Sequence, residues 1–293
     1  MSTIRFLRTF LAVAQYGSFS EAAEHVALTQ AAVSFQMRAL ENELGRELFD
    51  RSGRLALINA AGRELIPEAR RMLDLYQHMR RPAVEADGLA GSIAVGAIVS
   101  CMGALSRVVS GLKRDHERLD IKVFSGKSSE LVEKVEQGEL DAAFIVSASR
   151  KAPTLRWYPV YAEPMVVVAP AATTATTARQ ALSAHPFLRF DRTQRTGVQI
   201  DRLLKRMGVK VDDFLELNAI ETVVTLVKQE VGASLLPLVN QAGWREDAAL
   251  QVFDLPALAG GKPPSREIGM IERRDHGRTA VTLALLDRFS QHA

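Results

Sequence analysis

The sequence predicts a multidomain chain: an all-α-rich winged helix-turn-helix domain, a long linker helix and a two-lobed α/β domain. Three observations carry that prediction. Residues 18–44 read as two short capped helices with a tight joint, followed by a small hairpin. Residues 59–84 hold one uninterrupted helical periodicity. From Ser92 onward, strand and helix signals alternate.

The first helix is expected over residues 3–15, with Phe6, Leu7, Phe10, Leu11 and Ala14 as its inward stripe. Ser18 followed by Glu21 is a capping box, hydroxyl and carboxylate each covering a free backbone N–H at a helix start. That helix, over residues 19–25, packs Ala22, Ala23 and Val26 inward and breaks at Ala27 and Leu28. Thr29 caps the next helix, and Leu28 can staple against Val33 across the cap. On this second helix Val33, Met37, Leu40 and Leu44 recur at steps of four, three and four, one buried stripe. Its other side carries Thr29, Gln30, Ala31, Ser34, Phe35 and Arg38. Small side chains there let the helix sit deep in a major groove, where Gln30 and Ser34 can address base edges. Any helical hairpin has one apolar and one polar face, so the sequel matters. Gly45 ends the helix, and residues 47–51 and 54–57 read as a β-hairpin whose turn is flanked by Arg51 and Arg54. Those arginines can meet phosphates or a minor groove.

Asn59 caps the long helix. Along it Leu65, Ala69, Met72, Tyr76, Met79 and Ala83 form a heptad seam, with Arg70, Arg71, Arg80 and Arg81 off it. Packing on its own domain is one destination for such a seam, and a second copy of the chain is the other. The second is favoured because an unattached amphipathic helix would leave the seam in water. Pro67 and Pro82 predict a bend and an end. Residues 87–91 form a hinge.

Strands are expected over residues 92–98, 120–124 and 141–146, and helices over 100–115 and 129–137, a parallel unit with right-handed crossovers. A connection through Tyr161 to Pro164 leads to a strand over 165–169, and residues 171–177 read as an exposed Ala/Thr loop. The second lobe continues with a helix over 178–184, a strand over 187–190 and a helix over 197–207. Asn218 and Glu221 read as a capping box for a helix over 220–230, followed by a buried strand over 232–236. A strand over 268–272 and a helix over 279–290 return to the first lobe.

Composition bounds the function. A 293-residue chain that is 47% hydrophobic can bury real cores. The start of the chain reads as a charged amphipathic helix rather than a signal peptide, and no apolar run would span a bilayer. One cysteine, Cys101, excludes an internal disulfide framework and fits a reducing cytoplasm. The net charge of +3 is uninformative. In residues 1–58, Arg5, Arg8, Arg38, Arg46, Arg51 and Arg54 are matched by Glu21, Glu24, Glu41, Glu43, Glu47 and Asp50, so only placement supplies an electrostatic footprint for DNA. Ser125-Gly126-Lys127-Ser128 resembles the end of a phosphate-binding loop, but Ile121 stands where its first glycine belongs. The histidines are scattered, without zinc spacing, and no nucleophile–base set can be assembled. An enzyme, a metal and a cofactor are not expected.

Residues 9–62, FLAVAQYGSFSEAAEHVALTQAAVSFQMRALENELGRELFDRSGRLALINAAG from Phe10, resemble the DNA-binding region of LysR-type transcriptional regulators. The order of elements beyond them is similar too, so the resemblance covers essentially the whole chain. Two positions depart from the family: Ala31 stands where proline is usual, losing a preset helix start, and Phe35 where a basic or polar residue is common. Phe35 would touch a thymine methyl or simply pack. The resemblance implies a helix-turn-helix domain over 1–58 and a dimerising linker over 59–90. It also implies an effector domain over 91–293 resembling type 2 periplasmic binding proteins, with lobe I at 91–162 and 267–293 and lobe II at 163–266. Its implied partners are an inverted-repeat operator in double-stranded DNA, a small effector and a second copy in a homodimer or homotetramer, with RNA polymerase a further one and no membrane.

In open parallel sheets, ligands bind beyond the C-terminal strand ends, where helix N-termini converge. Ser100, Ser128, Ser129 and Thr196 stand at such points, and Phe144 and Ile145 end a strand at the same edge. The hydroxyls suit a carboxylate, though each also suits an ordinary cap. The competing class is a cytoplasmic small-molecule-binding protein whose N-terminal helices serve only oligomerisation.

Overall fold

A computed structural model describes residues 2–50, 57–79, 89–147, 153–239, 242–257 and 261–292. The chain divides into two compact units near residue 88.

In the N-terminal unit, α1 (Ser2–Tyr16), α2 (Phe19–His25) and α3 (Gln30–Leu44) enclose Phe10, Val33, Met37 and Leu40, all fully buried. Ser18 Oγ accepts from the Glu21 N–H at 3.0 Å, and Thr29 Oγ1 from the Ala32 N–H at 3.2 Å, the two predicted caps. The joint between α2 and α3 places Ala27 at φ 53°, left-handed backbone in a non-glycine residue. Gly45 closes α3 at φ 68°. The α3 stripe differs from the expected one at its end. Leu44 is 39% exposed, and the buried positions include two polar residues, Gln36 and Glu41. Both are partnered: Thr9 Oγ1 donates to Gln36 Oε1 at 2.6 Å, and Glu41 Oε1 accepts the Leu48 N–H at 2.8 Å.

Strands β1 (Phe49–Asp50) and β2 (Leu57–Ile58) pair antiparallel, Phe49 opposite Ile58, as the base of the hairpin. Arg51 and Arg54 lie outside the described residues. Helix α4 (Ala60–Met79) starts at the expected cap, Asn59 Oδ1 accepting the Gly62 N–H at 2.9 Å. Gly62 is required by close approach: a Cβ there would meet the Leu48 carbonyl oxygen at 2.4 Å. The heptad seam is corrected in part. Leu65, Ala69 and Leu73 are buried in this unit's own core, while Met72 and Leu75 are 49% and 61% exposed. Pro67 lies inside the helix; Pro82 and Ala83 fall outside the described residues.

The C-terminal unit has two cores joined by shared strands. The first is built on parallel β3 (Gly91–Ala97), β4 (Leu119–Ser125) and β5 (Ala142–Val146), with α5 (Met102–Asp115) and α6 (Ser128–Glu136) as crossovers. A 3₁₀ turn, Val99–Cys101, precedes α5, so Ser100 sits in that turn rather than opening the helix itself. The expected connection through Tyr161 to Pro164 is instead part of β6 (Leu155–Pro170), a 16-residue strand. Its first half pairs with β11 (Ser265–Arg273), which also pairs with β5. Its second half pairs with β9 (Ser234–Pro237) and β10 (Leu250–Asp254) in the second core.

Around that second core lie α7 (Ala178–Ala184), β7 (Phe187–Phe190), α8 (Arg195–Met207), β8 (Asp213–Leu217) and α9 (Ile220–Lys228). Neither β8 nor β10 is expected from the sequence. The Asn218–Glu221 capping box is corrected: the N-cap of α9 is Ala219, with no side-chain cap bond. In the Ala/Thr loop, Ala175 is buried and Thr173 Oγ1 meets His185 Nε2 at 2.7 Å. Helix α10 (Thr279–His292) returns to the first core, where Phe289 stacks on Phe144.

Candidate nucleic-acid interface and ligand cleft

On α3, the residues opposite the buried stripe stand in solvent. Thr29, Gln30, Ala31 and Arg38 are exposed, Ser34 is half-buried, and Phe35 is 70% exposed. A phenylalanine held that far out on a helix anchored by Val33, Met37 and Leu40 is not packing into its own unit. The spacing 31, 34, 35 and 38 follows from one helical face, fixed because the other face is buried. The face offers an amide, a hydroxyl, an apolar ring and a guanidinium within about two turns.

In the C-terminal unit, a cleft of about 220 Å³ opens where strand ends and helix starts of the two lobes meet. Of the sequence-predicted residues, Ser100, Ser128 and Thr196 line it. Ser129 follows on α6, exposed and outside the lining. Phe144 and Ile145 are corrections: both are buried, and Phe144 faces the first core, its ring centroid 3.8 Å from that of Phe289. A strand buried on both faces carries no alternation to show which side meets a cleft.

The cations go unmarked in the sequence. Arg266 on β11 is 3% exposed and ion-paired with Glu163 on the neighbouring β6, itself 2% exposed. Its guanidinium also donates to Ser100 Oγ of lobe I at 2.9 Å and Thr196 Oγ1 of lobe II at 3.1 Å. One arginine at the shared strands thus binds a hydroxyl from each lobe. Lys127 Nζ, after β4, donates across the cleft to Asp191 Oδ2 at 3.0 Å and Thr193 Oγ1 at 3.2 Å. Burial by itself would raise the Asp191 carboxyl. Hydrogen bonds from Thr193, Lys127 and Gln194 outweigh it and hold that carboxyl well below the usual range. Arg195, the first residue of α8, donates Nη1–H to the Val146 carbonyl at the end of β5, at 2.6 Å. Burial lowers the pKa of its guanidinium.

The cleft hydroxyls serve the protein as acceptors. Thr196 Oγ1 accepts from Arg266, and Ser128 Oγ accepts the Val146 N–H at 3.3 Å, so each keeps its own hydrogen to donate. Gly197 makes the start of α8 possible: a Cβ there would lie 2.1 Å from the Asp191 carbonyl oxygen. Cys101, next to Ser100, is buried; its thiol is pushed up to about 11 by burial, and its Sγ lies 3.7 Å from Tyr161 Oη.

A capped three-helix unit with an exposed reading face, followed by a two-lobed domain with a polar cleft, defines a DNA-binding regulator with a ligand-binding module. Residues 4–63 match the bacterial regulatory helix-turn-helix proteins of the lysR family, and residues 86–293 match the LysR substrate binding domain. The chain belongs to the LysR family of transcriptional regulators and is not an enzyme. It is 24% identical to the HTH-type transcriptional regulator SoxR of Arthrobacter sp. (strain TE1826), over 86% of each chain. It is 27% identical to the HTH-type transcriptional regulator CzcR of Bacillus anthracis, over 80% of each. Among solved structures, a full-length OxyR variant with a single cysteine substitution, from Pseudomonas aeruginosa, has a TM-score of 0.76 at 23% identity, covering 98% of this chain and 94% of that one. Full-length CbnR complexed with its target DNA has a TM-score of 0.62 at 18% identity, covering 99% of each. Those two likenesses establish the fold.

Proposed function

We propose that this regulator reads an inverted-repeat operator with α3 in the major groove and is controlled by a small anionic effector held between its lobes. The observation that carries the DNA reading is the two-sidedness of α3: Val33, Met37 and Leu40 are wholly buried, while Phe35 is 70% exposed. Gln30 and Ser34 address base edges, Ala31 admits close approach, Phe35 meets a thymine methyl, and Thr29 and Arg38 meet the backbone or bases. Arg51 and Arg54 serve the phosphates or minor groove beside them. The proposed division is a DNA-binding domain over 1–58, a linker over 59–90 and an effector domain over 91–293. Two copies supply the two half-sites, and the exposed Met72 and Leu75 of α4 offer apolar area for a second copy to cover. Homodimer or homotetramer, the assembly would work in the cytoplasm alongside RNA polymerase; among the described residues no helix is long and apolar enough to cross a membrane.

The effector reading is supported by the donor character of the cleft: Ser128 and Thr196 with hydroxyl hydrogens to give, and Lys127, Arg195 and Arg266 around them. Such a ligand shifts the pose of the lobes only by binding one pose more tightly than the other.

A gel shift on DNA from upstream of the protein's own gene tests the first part. Gln30→Ala is expected to cost about 1–3 kcal/mol at one base pair per half-site. Arg38→Ala is expected to weaken binding and, through a lost phosphate contact, to lower the salt dependence by about one unit. Unchanged binding in both variants would remove α3 from the interface.

A further inference from the structure

We propose that Arg195 is the anchor that makes the cleft selective for a compact monocarboxylate, an inference that rests on the effector reading above. Three cations line the cleft, Lys127, Arg195 and Arg266. Lys127 is paired with Asp191 and Arg266 with Glu163. Among the described residues no carboxylate pairs with Arg195, which bonds the neutral Val146 carbonyl instead. A half-buried guanidinium without a counter-charge is costly unless something anionic meets it, and its pKa is lowered by burial with no opposing ion pair.

The Val146 bond also positions the group. It fixes Nη1, leaving the edge formed by Nε and Nη2 for a planar two-oxygen partner, the geometry in which arginine holds a carboxylate. Thr196, the next residue of α8, and Ser128 line the same cleft, and each hydroxyl, being an acceptor in its bond to the protein, has a hydrogen free to turn to a ligand. Arg195 belongs to one lobe and Val146 to the other, so the anchor is set only while the lobes hold this pose.

Selectivity follows from what remains. Glu130 and Glu221 also line the cleft. With the other two cations already neutralised, a second anionic group on the ligand would face these carboxylates without a cation of its own. A volume of about 220 Å³ lies below the range usual for drug-sized ligands, which favours a compact one.

Calorimetric titration of the full-length protein with acetate, propionate and benzoate, against malonate, succinate and inorganic phosphate, tests this. At least one monocarboxylate is expected to bind at least about tenfold tighter than every dicarboxylate and phosphate. Arg195→Gln should lose about tenfold or more of that affinity, and Arg195→Lys, which keeps the charge but not the fork, should lose an intermediate amount. Glu221→Gln should narrow the gap to succinate. Equal or tighter binding of dicarboxylates, unaltered affinity in Arg195→Gln, or no binding by any monocarboxylate overturns the proposal. Thr196→Val separates the two readings. If it weakens binding while Arg195→Gln does not, the cleft remains the site and Arg195 is not its anchor; if neither does, the cleft itself is misassigned. Should Arg195→Gln fail to fold, the wild-type selectivity and the Arg195→Lys variant still decide.

Discussion

At the scale of single residues, the folded chain spends its polar groups where sequence patterns leave no trace. Thr9 and Gln36 are both buried and bonded to each other, tying α1 to α3. Thr9→Val leaves the Gln36 amide oxygen without that donor and should cost about 1–3 kcal/mol in a denaturant titration. Cys101 sets a pH dependence. Its thiol is raised from 9.0 to about 11 by burial, so the folded state favours the neutral form. The associated stability is present below pH 9 and is lost as pH rises through the folded value, between about 9 and about 11. Wild-type melting temperature should therefore fall across that window more steeply than that of Cys101→Ala. Gln36, Glu163 and Arg266 are illegible in sequence because a buried charge or amide is recognised by its partner, and the partners lie 27 to 103 residues away.

At the scale of elements, legibility follows local chemistry. The caps at Ser18, Thr29 and Asn59 are readable because a capping side chain acts within three residues of itself. Only the second half of β6 is expected as a strand, over 165–169; residues 161–164 read as a connection, and prolines stand at 159 and 164. In the structure Pro159 faces Gly269 at a register shift and Pro164 faces Ser265 where the β11 pairing ends, both places where a missing N–H is tolerated. Strand β8 escapes because it lacks alternation: Asp213, Phe214, Leu215 and Glu216 are all exposed. Asn218 fails as a cap because α9 starts at Ile220, as expected, with Ala219 between them as the N-cap, and the Asn218 carbonyl accepts from Gln194 Nε2 at 3.3 Å instead. The α3 cap gives a prediction at this scale. Thr29→Ala should cost about 0.5–2 kcal/mol of stability by thermal melting.

At the scale of the whole molecule, the division of labour is legible in the sequence and the ligand chemistry is not. Periodicity and caps reveal the helix-turn-helix and the change to alternating strand and helix. The cleft needs β6 and β11 to carry the chain between two cores, and these bring Glu163 and Arg266 together with Ser100 and Thr196. Three of the expected hydroxyls line that cleft because strand ends and helix starts converge there. The expected aromatic does not, because Phe144 serves the first core. Lys127 and Asp191 bridge the lobes. The Asp191 carboxyl is held below its ordinary value of 3.8, so the stability it contributes is fully present above that value. That stability is lost as pH falls below 3.8 and through the folded value. The melting temperature of the wild type relative to Asp191→Asn should therefore stay constant between about pH 5 and 7 and shrink below about pH 4, as read by circular dichroism.

The most direct test of a base-reading α3 is a base-by-base operator scan comparing wild type with Gln30→Ala. Discrimination should vanish at one base pair, at symmetry-related positions in both half-sites, and persist elsewhere. An identical discrimination profile in the two proteins would contradict the reading of α3 as the recognition helix.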